Sequence, residues 1–133
     1  MTALLATFAA LLPAADLQPP APCRTVACRE RVAMHDCSQT RPVACIRRAA
    51  LHRRVSFDLQ LAIARCESRL RPWVLNTAGS GAAGLMQLMP STFATTPYRW
   101  RPILSAKWNA LAGAWMLRRV GTGPWASSRG CWG

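Results

Sequence analysis

Ser56-Phe57-Asp58-Leu59-Gln60-Leu61-Ala62-Ile63-Ala64-Arg65-Cys66-Glu67-Ser68-Arg69-Leu70-Arg71-Pro72 reads as one helix, apolar on most of its circumference. Ser56 is placed to cap the first turn, and Asp58 suits the positive end of the helix dipole. Phe57, Leu61 and Ala64 form one apolar stripe, and Leu59, Ala62, Ile63, Cys66 and Leu70 form the next, so the helix should be largely buried. Pro72 lacks an N–H and disfavours helix at the preceding residue, which predicts the end of the element there. Within this stretch Glu67 stands out. Its neighbours at three and four residues are Ile63, Ala64 and Leu70, so it points toward apolar surroundings. A carboxyl group held protonated in such a place is what a general acid requires. The plainer reading is an i,i+4 pair with Arg71, of the common and weak surface kind.

A census of acids sharpens the choice. The 133 residues hold seventeen Lys and Arg against five Asp and Glu, a net charge of +12. The acids are Asp16, Glu30, Asp36, Asp58 and Glu67; after Asp58 there are nine Lys and Arg, and Glu67 is the sole carboxylate. Such a surface suits polyanionic partners: nucleic acid, anionic lipid or the phosphate-rich polymers of a bacterial wall. Apolar residues at 51% and charged residues at 17% exclude a disordered chain and fit one packed domain with a small appendage.

Six cysteines, Cys23, Cys28, Cys37, Cys45, Cys66 and Cys131, are an even set of the sort found in oxidised compartments. Six permit fifteen pairings. The run from Ala3 to Leu12, followed by Ala14 and Ala15, has the length of a secretory h-region, although no Lys or Arg precedes it. The chain is therefore expected to divide into a signal peptide at 1–15, with a buried N-terminal helix as the alternative, a Pro-rich linker at 16–22, a basic Cys-rich helical extension at 23–54 and a main domain at 55–133. In the extension Val43, Ile46, Ala50 and Leu51 keep a helical period. Asn76 to Gly84, with three glycines, suits a loop or short hairpin. Pro90 and Ser91 open a short helix to about Thr95. A last long helix starts at Ser105 as N-cap, buries Trp108, Leu111 and Trp115, and ends at Arg118, Arg119 and Gly121. The fold class is mainly α. Since residues 120–133 have few apolar anchors beyond Trp125 and Trp132, a Cys66–Cys131 disulfide is expected to hold the tail, leaving the other four cysteines to pair among themselves.

Cys66-Glu67-Ser68-Arg69-Leu70-Arg71-Pro72, followed by Gly81-Ala82-Ala83-Gly84-Leu85-Met86-Gln87-Leu88-Met89-Pro90-Ser91-Thr92, closely resembles the lytic transglycosylase domain. Both the Glu-Ser pair and the Gly-Leu-Met-Gln motif of that family are present, at the usual separation. Goose-type lysozymes and resuscitation-promoting factors are related to the same group. Thr96-Pro97-Tyr98 and Asn109 to Leu117 look like later segments of actinobacterial or actinophage members, and the likeness covers residues 55–131. It implies a lysozyme-like fold with a sugar-binding cleft, beside the disulfide-stapled N-terminal extension. It implies that Glu67 protonates the bond between N-acetylmuramic acid and N-acetylglucosamine. Ser68 would support the glutamate; Gln87 and the backbone at Met86 would hold the sugar ring and its N-acetyl group. Tyr98 and Asn109 are further substrate-binding candidates, and Trp73, Trp100 and Trp125 could stack on sugars. The chain departs from the family's Tyr-Asn-Ala-Gly motif, reading Trp108-Asn109-Ala110-Leu111-Ala112-Gly113 instead.

Most glycosidases use two carboxyl groups. Asp58 lies nine residues before Glu67, on the order of 13 Å along a helix and on the opposite face. One acid suffices when the muramic acid 6-hydroxyl serves as nucleophile and closes a 1,6-anhydro ring. Water in its place would make a hydrolytic muramidase. Rival readings are a Cys66 thiol nucleophile with His52 or His35, zinc on Cys23, Cys28, Cys37, Cys45 and His35, and a non-catalytic module whose basic segment binds the wall or nucleic acid. The favoured reading needs no metal or cofactor. It expects a secreted or wall-located monomer, virion-borne if phage-encoded, acting on peptidoglycan glycan strands, touching anionic wall polymers through its basic surface, and binding no specific nucleic acid.

Overall fold

The computed structural model describes residues 24, 25, 28 and 36–133. The expected signal peptide, the Pro-rich linker and Cys23 lie outside the described residues.

Helix α1 spans Pro42–Arg53, opening on a proline whose missing N–H costs nothing in a first turn. Helix α2 spans Phe57–Ser68, with the Ser56 hydroxyl accepting from the Leu59 N–H at 3.2 Å, as its sequence predicts. The end of α2 differs from expectation. It stops at Ser68, four residues before Pro72, because Arg69 and Leu70 turn left-handed at φ 52° and 59°. Their N–H groups close back onto Arg65 O and Ala64 O at 3.1 and 3.4 Å, satisfying carbonyls that the helix end would orphan. Glu67 thus sits in the last turn, and the chain swings away directly after it.

Short helix α3 covers Pro90–Phe93 and α4 covers Ala106–Val120. Ser105 holds the N-cap position of α4 without a side-chain cap bond. Gln39 does the capping from a distance: its Oε1 accepts from Ala106 N at 2.8 Å, and its Nε2 donates to Leu104 O at 2.7 Å. A 3₁₀ helix at Gly123–Ser128 and α5 at Arg129–Trp132 complete the chain. Among the described residues there is no strand, and the loop carries only isolated bridges pairing Ala83 with Leu75 and with Leu88.

The core forms where α1 and α2 meet α4 and the 83–88 loop. Ile46, Ile63, Leu85, Met86, Phe93 and Trp125 are members of one buried cluster. Helix α1 packs most extensively on α4, giving Cys45, Ile46 and Ala49 to that core. Leu51, assigned to the buried stripe from its period, is 44% exposed, and Ala49 takes its place. On α4 the buried face runs through Asn109, Ala110, Ala112, Gly113 and Ala114, whose small side chains bring other backbone close, while Trp108 and Trp115 are half-buried at its edges. Disulfides join Cys37 to Cys45 and Cys66 to Cys131, and Cys28 is also disulfide-bonded.

Candidate active site

Glu67 opens onto a cavity of ≈ 330 Å³. One wall comes from the 76–89 segment, including Asn76, Ser80, Gln87 and Met89; the other comes from Pro124, Trp125 and Ser127 near the chain end. Of the acids in described residues, Glu67 alone lines this space. Asp58 stands at the far end of α2, and Asp36 pairs with Arg41 at 2.6 Å. Nor does Arg71 pair with Glu67: its Nε donates to Ser68 O at 3.1 Å. The Glu67 Oε1 accepts from the Ser128 hydroxyl, and Oε2 has no hydrogen bond among the described residues.

The loop wall is built from buried polar contacts. Asn109 is fully buried on α4; its Oδ1 accepts from Met86 N at 2.7 Å, and its Nδ2 donates to Ala83 O and Ile103 O at 3.0 and 2.8 Å. Gly84, at φ 80°, lies so close to this amide that a Cβ there would collide with Asn109 Nδ2. A Cβ on Gly113 would stand 2.6 Å from Met86 Cγ. Ser68 is 2% exposed, and its hydroxyl donates to Leu85 O at 2.8 Å, tying the end of α2 to the same loop. Trp125 Nε1 donates to Met86 O at 2.8 Å and so joins the two walls.

The expected site residues fall in different places around the cavity. Ser68, Asn109 and the Met86 backbone have their hydrogen-bonding groups taken by protein partners, so they shape the cavity without facing it. Gln87 does line it. The Gln87 Nε2 donates to Val74 O and Gly84 O, each at 3.0 Å, which leaves its carbonyl oxygen without a partner among the described residues. Tyr98 lies outside the cavity lining, packed on Trp108 at 5.9 Å between ring centroids, its hydroxyl accepting from Arg53 at 2.5 and 3.2 Å. Trp73 and Trp100 are also off the lining, at 61% and 85% exposure. Ser128, Ser127 and Pro124 were not legible as site residues. The one hint was Cys131, whose pairing with Cys66 brings the tail beside Glu67 without saying which tail side chain meets it.

With Cys66 bonded to Cys131, no thiol is left there for nucleophilic attack. The Cys37–Cys45 bond likewise removes two of the ligands that a zinc site would need.

The domain is helical, with a carboxyl group at the end of a partly buried helix opening onto a polar cleft, an arrangement that fits the lysozyme-like class of its family. The chain belongs to the transglycosylase family whose model, the Transglycosylase SLT domain, matches residues 44–123, more than half of its length. Membership brings peptidoglycan as substrate class and glycosidic-bond cleavage as reaction class. Comparison with curated proteins and with solved structures gives no match.

Proposed function

We propose that this domain cleaves the β-1,4 bond between N-acetylmuramic acid and N-acetylglucosamine by a non-hydrolytic route, with Glu67 as acid and then base. The observation that carries the reading is that Glu67 lines the cavity with no second described carboxylate beside it. Its proton goes from Oε2, the oxygen without a partner among the described residues, to the glycosidic oxygen, which leaves as the glucosamine 4-hydroxyl. The resulting carboxylate takes the proton of the muramic acid 6-hydroxyl as O6 bonds to C1. Acid–base assistance of this kind contributes about 10²–10⁴ in rate. The free carbonyl of Gln87 suits the N–H of an N-acetyl group.

A second feature supports contact with anionic wall polymers. The guanidinium of Arg53 lies 5.4 Å from the Tyr98 ring, while Arg101 and Lys107 lie 4.6 and 4.3 Å from the Trp108 ring. None of the three has a carboxylate within ion-pair reach among the described residues. Three such cations gathered on two rings in tilted contact suit a phosphodiester chain, and the disulfides suit work outside the cytoplasm.

The test is mass spectrometry of fragments released from purified sacculi. Anhydromuramic ends, one water lighter than reducing ends, are expected, and Glu67→Gln should release none. Reducing ends alone would make the enzyme a muramidase; normal release by Glu67→Gln would remove Glu67 from the mechanism.

A further inference from the structure

Resting on the reading of Glu67 as acid and base, we infer that Ser128 is the positioning residue for its carboxyl group, and that Trp132 aims the Ser128 hydroxyl. A serine hydroxyl carries one proton and two lone pairs. Trp132 Nε1 donates chiefly to Ser128 Oγ at 2.9 Å, occupying a lone pair, and shares its N–H with Trp125 O at 3.3 Å. The hydroxyl proton then has two acceptors in reach, Glu67 Oε1 and Trp125 O, the latter at 3.1 Å. Hydrogen bonds to an ionised acceptor are roughly twice as strong as neutral ones. The bond to Glu67 therefore strengthens when Glu67 gives up its proton, and the choice between acceptors turns toward the carboxylate as the glycosidic bond breaks.

Two consequences follow from the geometry. With Oε1 held by Ser128, the acidic proton resides on Oε2, the oxygen left for substrate. And an interaction that is stronger after proton transfer than before it raises kcat while leaving ground-state binding alone. The disulfide sets the register, since Cys66 precedes Glu67 and Cys131 precedes Trp132. Ser128 opens α5 and Trp132 is its last residue, one turn further on.

The experiment is steady-state cleavage of a soluble glycan fragment by the full chain and three variants, with intact disulfides and folding verified by peptide mapping and thermal melts. Ser128→Ala should lower kcat about ten- to hundredfold with KM unchanged. Ser128→Thr, which keeps the hydroxyl, should recover most of that loss. Trp132→Phe keeps the ring, removes the N–H, and should give a smaller loss in kcat alone. Wild-type kcat in Ser128→Ala, a loss as deep in Ser128→Thr, or an effect confined to KM would each overturn the assignment. Should Glu67→Gln remain active, the acid–base reading itself falls; an inactive Glu67→Gln beside a fully active Ser128→Ala removes only the role of Ser128.

Discussion

The two walls of the Glu67 cavity are held in place by different physics. The loop wall at residues 83–88 is pinned from within the core, by the buried amide of Asn109, the Ser68 hydroxyl and the close approach that Gly84 permits. The tail wall at residues 123–132 lies over the site from outside. It is fixed by the Cys66–Cys131 disulfide, the Ser128 contact, and a single side chain, Trp125, that reaches the core and gives its indole N–H to the loop. A wall made of buried hydrogen bonds is destabilised piece by piece; a wall held by a covalent clasp is lost together. The carboxyl group between them takes its environment from both.

The largest expected effect separates these modes. Replacing Cys66 and Cys131 together by serine removes a loop constraint spanning 65 residues, worth on the order of 4 kcal/mol in the chain-entropy model. Thermal melts should show a correspondingly large fall in Tm, and clearing of sacculi should fall further than the folded fraction does, because the tail contacts go first. An unchanged Tm would mean that packing alone holds the tail. Next comes the loop wall. Asn109→Ala leaves the buried Met86 N–H and the part-buried Ile103 O unpaired, while Ala83 O keeps the Leu88 N–H, a loss of about 2 kcal/mol in chemical denaturation. Its remaining activity should follow the folded fraction, since Asn109 does not line the cavity. Smaller still is Ser68→Ala, at about 1 kcal/mol with kcat preserved in the folded protein. A selective loss of kcat there would return Ser68 to the chemistry.

The same contrast marks what could be read in the sequence. The apolar periods placed α2 and α4, because local spacing encodes them, and the resemblance carried by the Glu-Ser and Gly-Leu-Met-Gln motifs pointed to Glu67 and the 81–92 segment. The pairing of Cys66 with Cys131 was also legible, from the lack of apolar anchors in the tail. Other features depend on distant partners and left no local mark. Gln39 caps α4 from 67 residues away, and Ser128 meets Glu67 across 61. The early stop of α2 was hidden because Arg69 and Leu70 adopt a left-handed turn that glycine would have advertised. The directions of the Ser68, Asn109 and Met86 polar groups, which bond to protein partners, were not legible either.

The Cys66–Cys131 bond also changes the covalent topology of the molecule. Everything from Glu67 to Gly130, including the exposed turn at residues 77–80, lies inside one closed ring. A protease that cuts any single peptide bond in this ring linearises it without releasing a fragment, so both walls and the glutamate stay on one molecule. On a non-reducing gel, protein nicked once in that turn should run as a single species, and reductant should split it in two. Where proteases are present, a first cut leaves the enzyme assembled, and only a second cut within the ring frees a piece of it.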